Sequence, residues 1–171
     1  MTEADLRTVY QQYRDPLFRF GYRLTGSAET AEDLVHDCFV SLFRGGFDES
    51  RASMKTYLYA AVRNLSRKRL RDFGREELGA EIEEASPNTP LDLLITEETA
   101  GMVQAAVTGL PAAQREVLVL FEYEDLSLDE IARVIEIEVG AVKSRLFRAR
   151  GALRKTLSES LAKPAVRESA R

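Results

Sequence analysis

The stretch from Leu126 to Lys155 constrains the fold of this chain more than any other feature. Ser127 followed by Glu130 is the capping-box pattern that starts a helix, and an apolar face then runs through residues 131–135. A short break near residues 136–138 precedes a second helix with apolar residues at helical spacing. The pattern predicts a helix-turn-helix motif. The apolar positions of its second helix are Val142, Leu146, Ala149 and Leu153.

The second helix of this pair is strongly basic. Between Val139 and Leu157 the chain has six basic residues and no acidic one. A tight turn followed by a basic helix is typical of motifs whose second helix enters the major groove of DNA. An ordinary helical hairpin with a solvated basic face is the alternative, and the length of the acid-free run favours DNA.

Charge is segregated along the chain, although the formal net charge is only −4. Eight basic residues and one acidic residue lie between Arg51 and Arg75. Eight acidic residues and no basic one lie between Glu76 and Glu98. Phosphate binding depends on local cationic patches rather than on the net value, so the two basic segments are candidate nucleic-acid surfaces.

The apolar spacing predicts an all-α chain, because no strand-like alternation extends beyond a few residues. Pro16 suits the first position of a helix capped by Asp15, so the N-terminal segment is predicted as two helices. A turn at residues 25–27 follows them. The predicted helices upstream of the helix-turn-helix are 2–14, 16–24, 28–44, 54–71, 96–108 and 112–123.

Composition divides the chain into two small helical domains. Residues 74–94 are acidic, contain Ser86-Pro87-Asn88-Thr89-Pro90 and lack a sustained apolar period, which is typical of a flexible linker. The prediction is therefore a first domain at 1–73, the linker at 74–94, a second domain at 95–158 and a polar, fraying tail at 159–171.

Several function classes have little support. Cys38 and His36 are the single cysteine and histidine of the chain, which leaves little material for metal ligation or acid-base catalysis. No phosphate-cradling glycine loop is present. We therefore expect no catalytic residues, no metal and no cofactor. The chain also lacks an apolar run of membrane-spanning length and a signal-peptide pattern, so we expect a cytoplasmic protein without a membrane span.

The predicted helix at 28–44 has a regular apolar stripe, which we expect to be core. The polar residues Asp33, His36 and Asp37 lie off this stripe. The stripe consists of Ala31, Leu34, Val35, Cys38, Phe39, Leu42 and Phe43.

The predicted helix at 54–71 combines cations with aromatic residues. Arg63, Arg67 and Arg71 recur every four residues, Asn64 and Lys68 broaden that row, and Tyr57 and Tyr59 lie upstream. Such a helix suits contact with a phosphate backbone together with stacking on unpaired bases. A solvated cationic helix is an equally good interpretation of the composition alone.

Four segments in one order resemble the extracytoplasmic-function sigma factors, bacterial subunits that give RNA polymerase its promoter specificity. Residues 31–39 resemble region 2.2 of that family, and residues 56–65 resemble its regions 2.3 and 2.4. Residues 110–117 resemble the opening of its second domain. Residues 139–150, which read VGAVKSRLFRAR, are the most specific match.

The resemblance implies three contacts. Asp33, His36 and Asp37 would bind the clamp helices of the beta-prime subunit of core RNA polymerase, with His36 standing where the family usually has glutamine. The helix at 54–71 would bind the minus-ten element, where promoter DNA opens and a base is flipped out of the non-template strand. Its implied contact residues are Tyr57, Arg63, Asn64, Arg67, Lys68 and Arg71.

The helix at 139–157 would read the minus-thirty-five element as duplex. Glu136 and Glu138 depart from the glycine and proline common in the family's turn, and a left-handed Glu136 would cost about 1 kcal/mol. An inhibitory anti-sigma partner is also implied. A conventional helix-turn-helix repressor or activator is the alternative function. The implied contact residues are Lys143, Ser144, Phe147 and Arg148, with Arg145 and Arg150 on phosphates or in structural roles.

Overall fold

The structure is a computed structural model that describes residues 1–73 and 97–162, and this part of the chain contains helices and no strand. The predicted linker at 74–94 lies entirely outside the described residues. The helices are α1 (Glu3–Thr25), α2 (Ala28–Gly45), α3 (Met54–Asp72), α4 (Glu97–Thr108), α5 (Ala112–Glu122), α6 (Leu128–Ile135) and α7 (Val139–Ala162).

The helices α1, α2 and α3 pack around one end of the core. Their buried residues include Leu17, Phe20, Leu34, Leu42 and Leu58, all fully shielded from solvent. Ser27 and Ser53 cap the starts of α2 and α3 by accepting hydrogen bonds from the amides of residues 30 and 56. The apolar stripe predicted for α2 is buried, with the exception discussed below.

The prediction of two N-terminal helices separated at Pro16 is wrong. The helix α1 runs through Pro16 without interruption from Glu3 to Thr25. A proline inside a helix removes one hydrogen bond, here to the carbonyl four residues earlier at Gln12, which is exposed. Continuity lets the apolar residues on both sides of Pro16, including Val9 and Phe20, pack against the same core. That burial outweighs the local loss.

The helices α4 to α7 form the other end of the core. The capping box at Ser127 and Glu130 is present at the start of α6, as predicted. The turn after α6 places Glu136 in the left-handed conformation, with φ 62° and ψ 48°. The helix α7 continues to Ala162, so residues 159–162 of the predicted tail are helical and the tail's other residues lie outside the described part.

The two halves of the chain pack directly on one another. The helix α1 contacts α4 and α5, and α3 contacts α6. A single cluster of buried residues runs through both halves, from Leu17 and Leu58 to Val117, Ile131 and Leu146. The surface of α3 that faces the second half is therefore part of an interface between the halves.

Replacing Glu136 by glycine is expected to raise the free energy of unfolding by about 0.5–1 kcal/mol. Glu136 is exposed and has a positive φ, so glycine relieves the steric cost of its Cβ without removing a buried contact. Urea denaturation of the purified variant measures the change. Arg133→Gly, at an exposed position inside α6, is the matched control and should lower stability instead. Destabilisation by both changes would contradict the assignment of strain to residue 136.

Candidate nucleic-acid and protein interfaces

The three polar residues predicted on α2 form one exposed face. Asp33, His36 and Asp37 are all exposed, on the side of α2 opposite its buried residues. Asp33 accepts a hydrogen bond of 3.2 Å from Nη2 of Arg69 on α3, but its side chain remains about half exposed. A face of this kind offers two carboxylates and an imidazole to a partner, and it leaves the core of α2 undisturbed.

Phe43 was predicted as core, and this prediction is wrong. Its side chain is 74% exposed, at the end of α2 next to the face of Asp33, His36 and Asp37. It borders a shallow groove between α1 and α2 that Tyr10 and His36 also line. The i, i+4 relation to Phe39 suggested burial, but residue 43 lies at the edge of the apolar stripe, on the border of the groove rather than in the core.

Cys38 lies on the buried side of the same helix. Its Sγ is 3.8 Å from the carbonyl oxygen of Leu58, towards which the thiol donates. Burial raises the pKa of the Cys38 thiol to about 12. The sulfur therefore stays protonated at neutral pH and acts as a core side chain rather than a nucleophile.

The helix α3 carries the predicted minus-ten residues on two different sides. Asn64, Lys68 and Arg71 are exposed to solvent. Tyr57 is half-buried, and its ring packs edge-on against Phe47 of the preceding loop with 5.4 Å between the ring centroids. The structure thus joins the start of α3 to the preceding loop through an aromatic pair.

Arg63 and Arg67 are turned towards the second half of the chain. The guanidinium of Arg67 donates two hydrogen bonds to Glu116, through Nε to Oε1 and through Nη2 to Oε2, the latter at 3.1 Å. Arg63 places its Nε 3.2 Å from Oε2 of the same carboxylate. The Glu116 side chain is only 4% exposed. The hydrogen bonds to Glu116 raise the pKa of Arg67.

Arg115, beside Glu116, joins the two halves through backbone carbonyls. Its Nη1 donates to the oxygen of Leu24 at 2.6 Å, at the end of α1. Its Nη2 donates to the oxygens of Thr108 and Leu110 at 2.6 and 2.8 Å. Burial lowers the pKa of Arg115, although the nearby carboxylate of Glu116 opposes that shift.

A second buried contact joins Tyr59 of α3 to Glu124, just after α5. The tyrosine hydroxyl donates to Oε2 of Glu124 at 2.7 Å. Burial raises the pKa of both groups, and the charge of Glu124 adds to the effect on Tyr59. Arg23 stacks over the ring of Tyr123, with 4.2 Å from its guanidinium carbon to the ring centroid. Polar and aromatic groups therefore line the junction of the halves.

This junction was not predicted from the sequence. Arg115 and Glu116 were interpreted only as part of a family resemblance, and Arg63 and Arg67 only as DNA ligands. A signal was present, because two adjacent charges open a segment that is otherwise continuously apolar from Val117 to Phe121. Charged residues in such a segment are buried only with partners. The identity of those partners, 49 residues away in the case of Arg67, had no local signature.

The helix α7 has one buried face and one open face. Val142, Leu146 and Ala149 are buried, whereas the four residues predicted to face DNA are all exposed. The Phe147 ring is 81% exposed, which is unusual for a phenylalanine. This open face consists of Lys143, Ser144, Phe147 and Arg148, and the hydroxyl of Ser144 donates to the Gly140 carbonyl oxygen at 3.1 Å.

The other two basic residues predicted on α7 are placed differently. Arg145 is half-buried. Arg150 donates from Nε and Nη2 to Oε1 of Glu122, at 2.8 and 2.6 Å, and its guanidinium lies 5.0 Å from the centroid of the Phe121 ring. Arg150 thereby ties α7 to α5.

Within residues 1–73 and 97–162, histidine, cysteine and carboxylate side chains nowhere form a group of three that could hold a metal ion. In the same residues, each helix is too short or too polar to cross a membrane.

Both halves of the chain match known protein families. Residues 9–76 match the family described as Sigma-70 region 2, and residues 100–153 match Sigma-70, region 4. The first match covers most of α1 and all of α2 and α3, and the second covers most of α4 to α7. Each exposed face described above therefore lies within a recognised sigma-factor region.

Relatives extend the match to most of the chain. The ECF RNA polymerase sigma factor SigW of Bacillus subtilis is 32% identical over 161 residues, which are 86% of each chain. Among solved structures, the sigma factor RpoE in complex with the anti-sigma factor NepR, from Bartonella quintana, aligns with a TM-score of 0.74 at 24% identity, covering 90% of this chain and 97% of that one. CnrH in complex with the cytosolic domain of CnrY aligns with a TM-score of 0.70 at 23% identity, covering 92% and 90%.

The order of the two regions and the extent of these matches define a two-domain initiation factor of bacterial transcription. The chain belongs to the extracytoplasmic-function (ECF) RNA polymerase sigma factors. Its function is to direct RNA polymerase to promoters, and the alternative of a conventional repressor or activator is not favoured.

Proposed function

We propose that this sigma factor acts through three separate faces, one for core polymerase and two for promoter DNA. The observation that carries the proposal is the open face of α7, where Lys143, Ser144, Phe147 and Arg148 are exposed together at the position of a recognition helix. Lysine, serine and arginine side chains reach base edges and phosphates, and Phe147 offers an apolar contact to a thymine methyl group. This face would bind the minus-thirty-five duplex.

The polymerase contact is assigned to Asp33, His36 and Asp37 on α2. This assignment is supported by the exposure of all three residues on one face of α2, whose other face is buried in the core. The imidazole of His36 can donate and accept one hydrogen bond each, as the amide common at this position in the family does. The partner would be the clamp helices of the beta-prime subunit.

The minus-ten contact is assigned to α3. Asn64, Lys68 and Arg71 are exposed, and Tyr57 lies near Phe47 in the preceding loop. Arg63 and Arg67 would join this surface when they are released from Glu116. Cations along the helix would hold the backbone, and the aromatic residues would stack on unpaired bases.

Three further features complete the proposal. The factor would work in the cytoplasm, where the polymerase acts. It would bring no catalytic chemistry, cofactor or metal to the complex. An anti-sigma factor would regulate it, because the two solved structures that resemble it are each described in a complex, RpoE with the anti-sigma factor NepR and CnrH with the cytosolic domain of CnrY.

The proposal is tested by adding the purified chain to core RNA polymerase and a library of promoter fragments. New transcripts that require both the chain and particular fragments are the expected result. A chain that adds no promoter-dependent transcript but binds palindromic duplexes as a stable homodimer would point to a repressor instead.

The double variant Lys143→Ala and Arg148→Ala is expected to weaken binding to minus-thirty-five duplex by about tenfold or more, because two charge-assisted contacts are lost. Its affinity for core polymerase should not change, since both residues lie on the exposed face of α7. Anisotropy titrations with labelled duplex and with core polymerase measure the two affinities. Arg154→Ala, on the same helix beyond the predicted reading residues, is the matched control. Equal loss of DNA and polymerase binding would show that the two residues have a structural role.

A further inference from the structure

One side of α3 is covered by acidic residues of the second half. An α-helix turns about 100° per residue, so side chains four positions apart form a row. Every fourth residue of α3, from position 55 to position 67, contacts a glutamate of the second half. Lys55 lies 3.8 Å from Glu130, Tyr59 donates to Glu124 at 2.7 Å, and Arg63 and Arg67 contact Glu116.

We call Lys55, Tyr59, Arg63 and Arg67 the α3 stripe, and Glu116, Glu124 and Glu130 the glutamate cover. The carboxylates of the cover accept hydrogen bonds from the α3 stripe, as the phosphates of a nucleic-acid backbone would. Carboxylate and phosphate oxygens bind guanidinium groups in the same forked geometry. Both guanidinium groups of the stripe belong to the surface assigned above to minus-ten DNA. While they are bonded to Glu116, the donors that face its carboxylate are not available to a phosphate.

The cover is held in a way that allows its release. Nε of Arg63 and Oε1 of Glu124 are buried without a directed hydrogen bond. The cost of desolvating buried charges offsets most of the gain from their pairing, and incomplete hydrogen bonding reduces that gain further. A polyanion that offers the same contacts together with solvation of the glutamates therefore competes effectively.

The two DNA surfaces differ in their accessibility. The stripe is covered, with Arg63 20% and Arg67 35% exposed. The open face of α7 has no such cover, since Lys143, Ser144, Phe147 and Arg148 are all exposed in the same closed arrangement. One conformation thus hides the first surface and presents the second.

We propose that the glutamate cover is an intramolecular competitor of the minus-ten strand. In the closed chain the minus-thirty-five surface binds duplex DNA, and the α3 stripe becomes available only when the two halves separate. The apparent affinity for single-stranded DNA is then the intrinsic affinity of the open chain multiplied by the fraction of chains that are open. This inference rests on the role proposed for α3.

The test is Glu116→Gln in the full-length chain, with a short fluorescent single-stranded oligonucleotide of random sequence as the probe. The amide removes the charge that holds Arg63 and Arg67 and keeps the shape of the side chain. Single-strand affinity should rise about tenfold, and affinity for a random-sequence duplex should change less than about twofold. Small-angle X-ray scattering should show a larger radius of gyration, because the halves separate.

Asp129→Asn is the matched control, since it removes one exposed acidic charge from α6 next to the cover. It should leave single-strand affinity at the wild-type value. Glu130→Gln is the second variant for the case in which Glu116→Gln folds poorly. Glutamine keeps the capping box, and the partly exposed contact with Lys55 is weaker, so a gain of about twofold is expected.

The inference is overturned if neither variant gains single-strand affinity, or if duplex affinity rises as much, which would indicate a general charge effect. The same preparations are assayed with core polymerase on promoter fragments, which tests the sigma activity separately. A wild-type chain that initiates transcription, with variants that gain no single-strand affinity, refutes the cover and leaves the proposed function intact.

Discussion

Replacing Arg115 by alanine is expected to lower the free energy of unfolding by about 3–5 kcal/mol. The guanidinium group donates to three carbonyl oxygens, of Leu24, Thr108 and Leu110, in a buried position. The substitution leaves those oxygens without this donor, opens a cavity, and removes one of the positive charges close to Glu116. Urea denaturation followed by circular dichroism measures the loss.

Two controls separate this effect from a simple loss of charge. Arg69→Ala also removes an arginine, but its bond to Asp33 is largely exposed and should contribute no more than about 1 kcal/mol. Arg115→Lys keeps the charge and can reach only part of the carbonyl set, so an intermediate loss is expected. Similar stability of the Arg115→Ala and Arg69→Ala variants would refute the role given to Arg115.

The position of Arg115 explains why the halves pack in a defined arrangement. One nitrogen binds the end of α1, and the other binds the α4–α5 connection. Backbone carbonyls are fixed in space, so this hydrogen-bonding set specifies how α5 sits against α1. The contacts of the glutamate cover, made by long side chains, then add to an arrangement that Arg115 already defines.

The sequence predicted those features that depend on neighbouring residues. Helix α2 begins at the predicted residue and ends one residue later, at Gly45. The capping box at Ser127 is confirmed, and Glu136 adopts the left-handed conformation that the sequence had left open. The bounds of α2 and the capping box follow from local spacing or local hydrogen bonding, which a short segment contains in full.

Features that depend on tertiary contacts were not predictable in the same way. Pro16 breaks a helix by local rules, yet α1 continues because residues on both sides share one core. Phe43 fits the apolar period of α2, but its side chain is exposed at the end of that helix. Arg63 and Arg67 fit a DNA-binding row, and their bond to Glu116 depends on how two halves dock. Periodicity in the sequence identifies which residues share a helix face, but it does not identify what contacts that face.

The site on α2 gives the second large effect. The triple variant Asp33→Ala, His36→Ala and Asp37→Ala is expected to weaken binding to core RNA polymerase by about 100-fold, because a few clustered residues carry most of the affinity of an interface and each truncated carboxylate would leave a partner charge unpaired. The helix itself should remain folded, since all three side chains are exposed. Titration of labelled chain with core polymerase measures the affinity, and thermal unfolding verifies the fold.

Single substitutions at this site distinguish a specific contact from a general need for charge. His36→Gln replaces the imidazole by an amide that also donates and accepts, so polymerase affinity should stay within about threefold of wild type. Glu29→Gln removes an exposed charge one turn before Asp33, outside the predicted contact, and should likewise have little effect. Asp37→Asn keeps the shape and loses the charge, so a loss of about tenfold is expected if a polymerase cation faces it. Equal losses for Glu29→Gln and Asp37→Asn would show that α2 contributes only long-range electrostatic attraction. The direct contact with polymerase would then lie elsewhere. The exposed Phe43, which borders the groove between α1 and α2, would be the next residue to change.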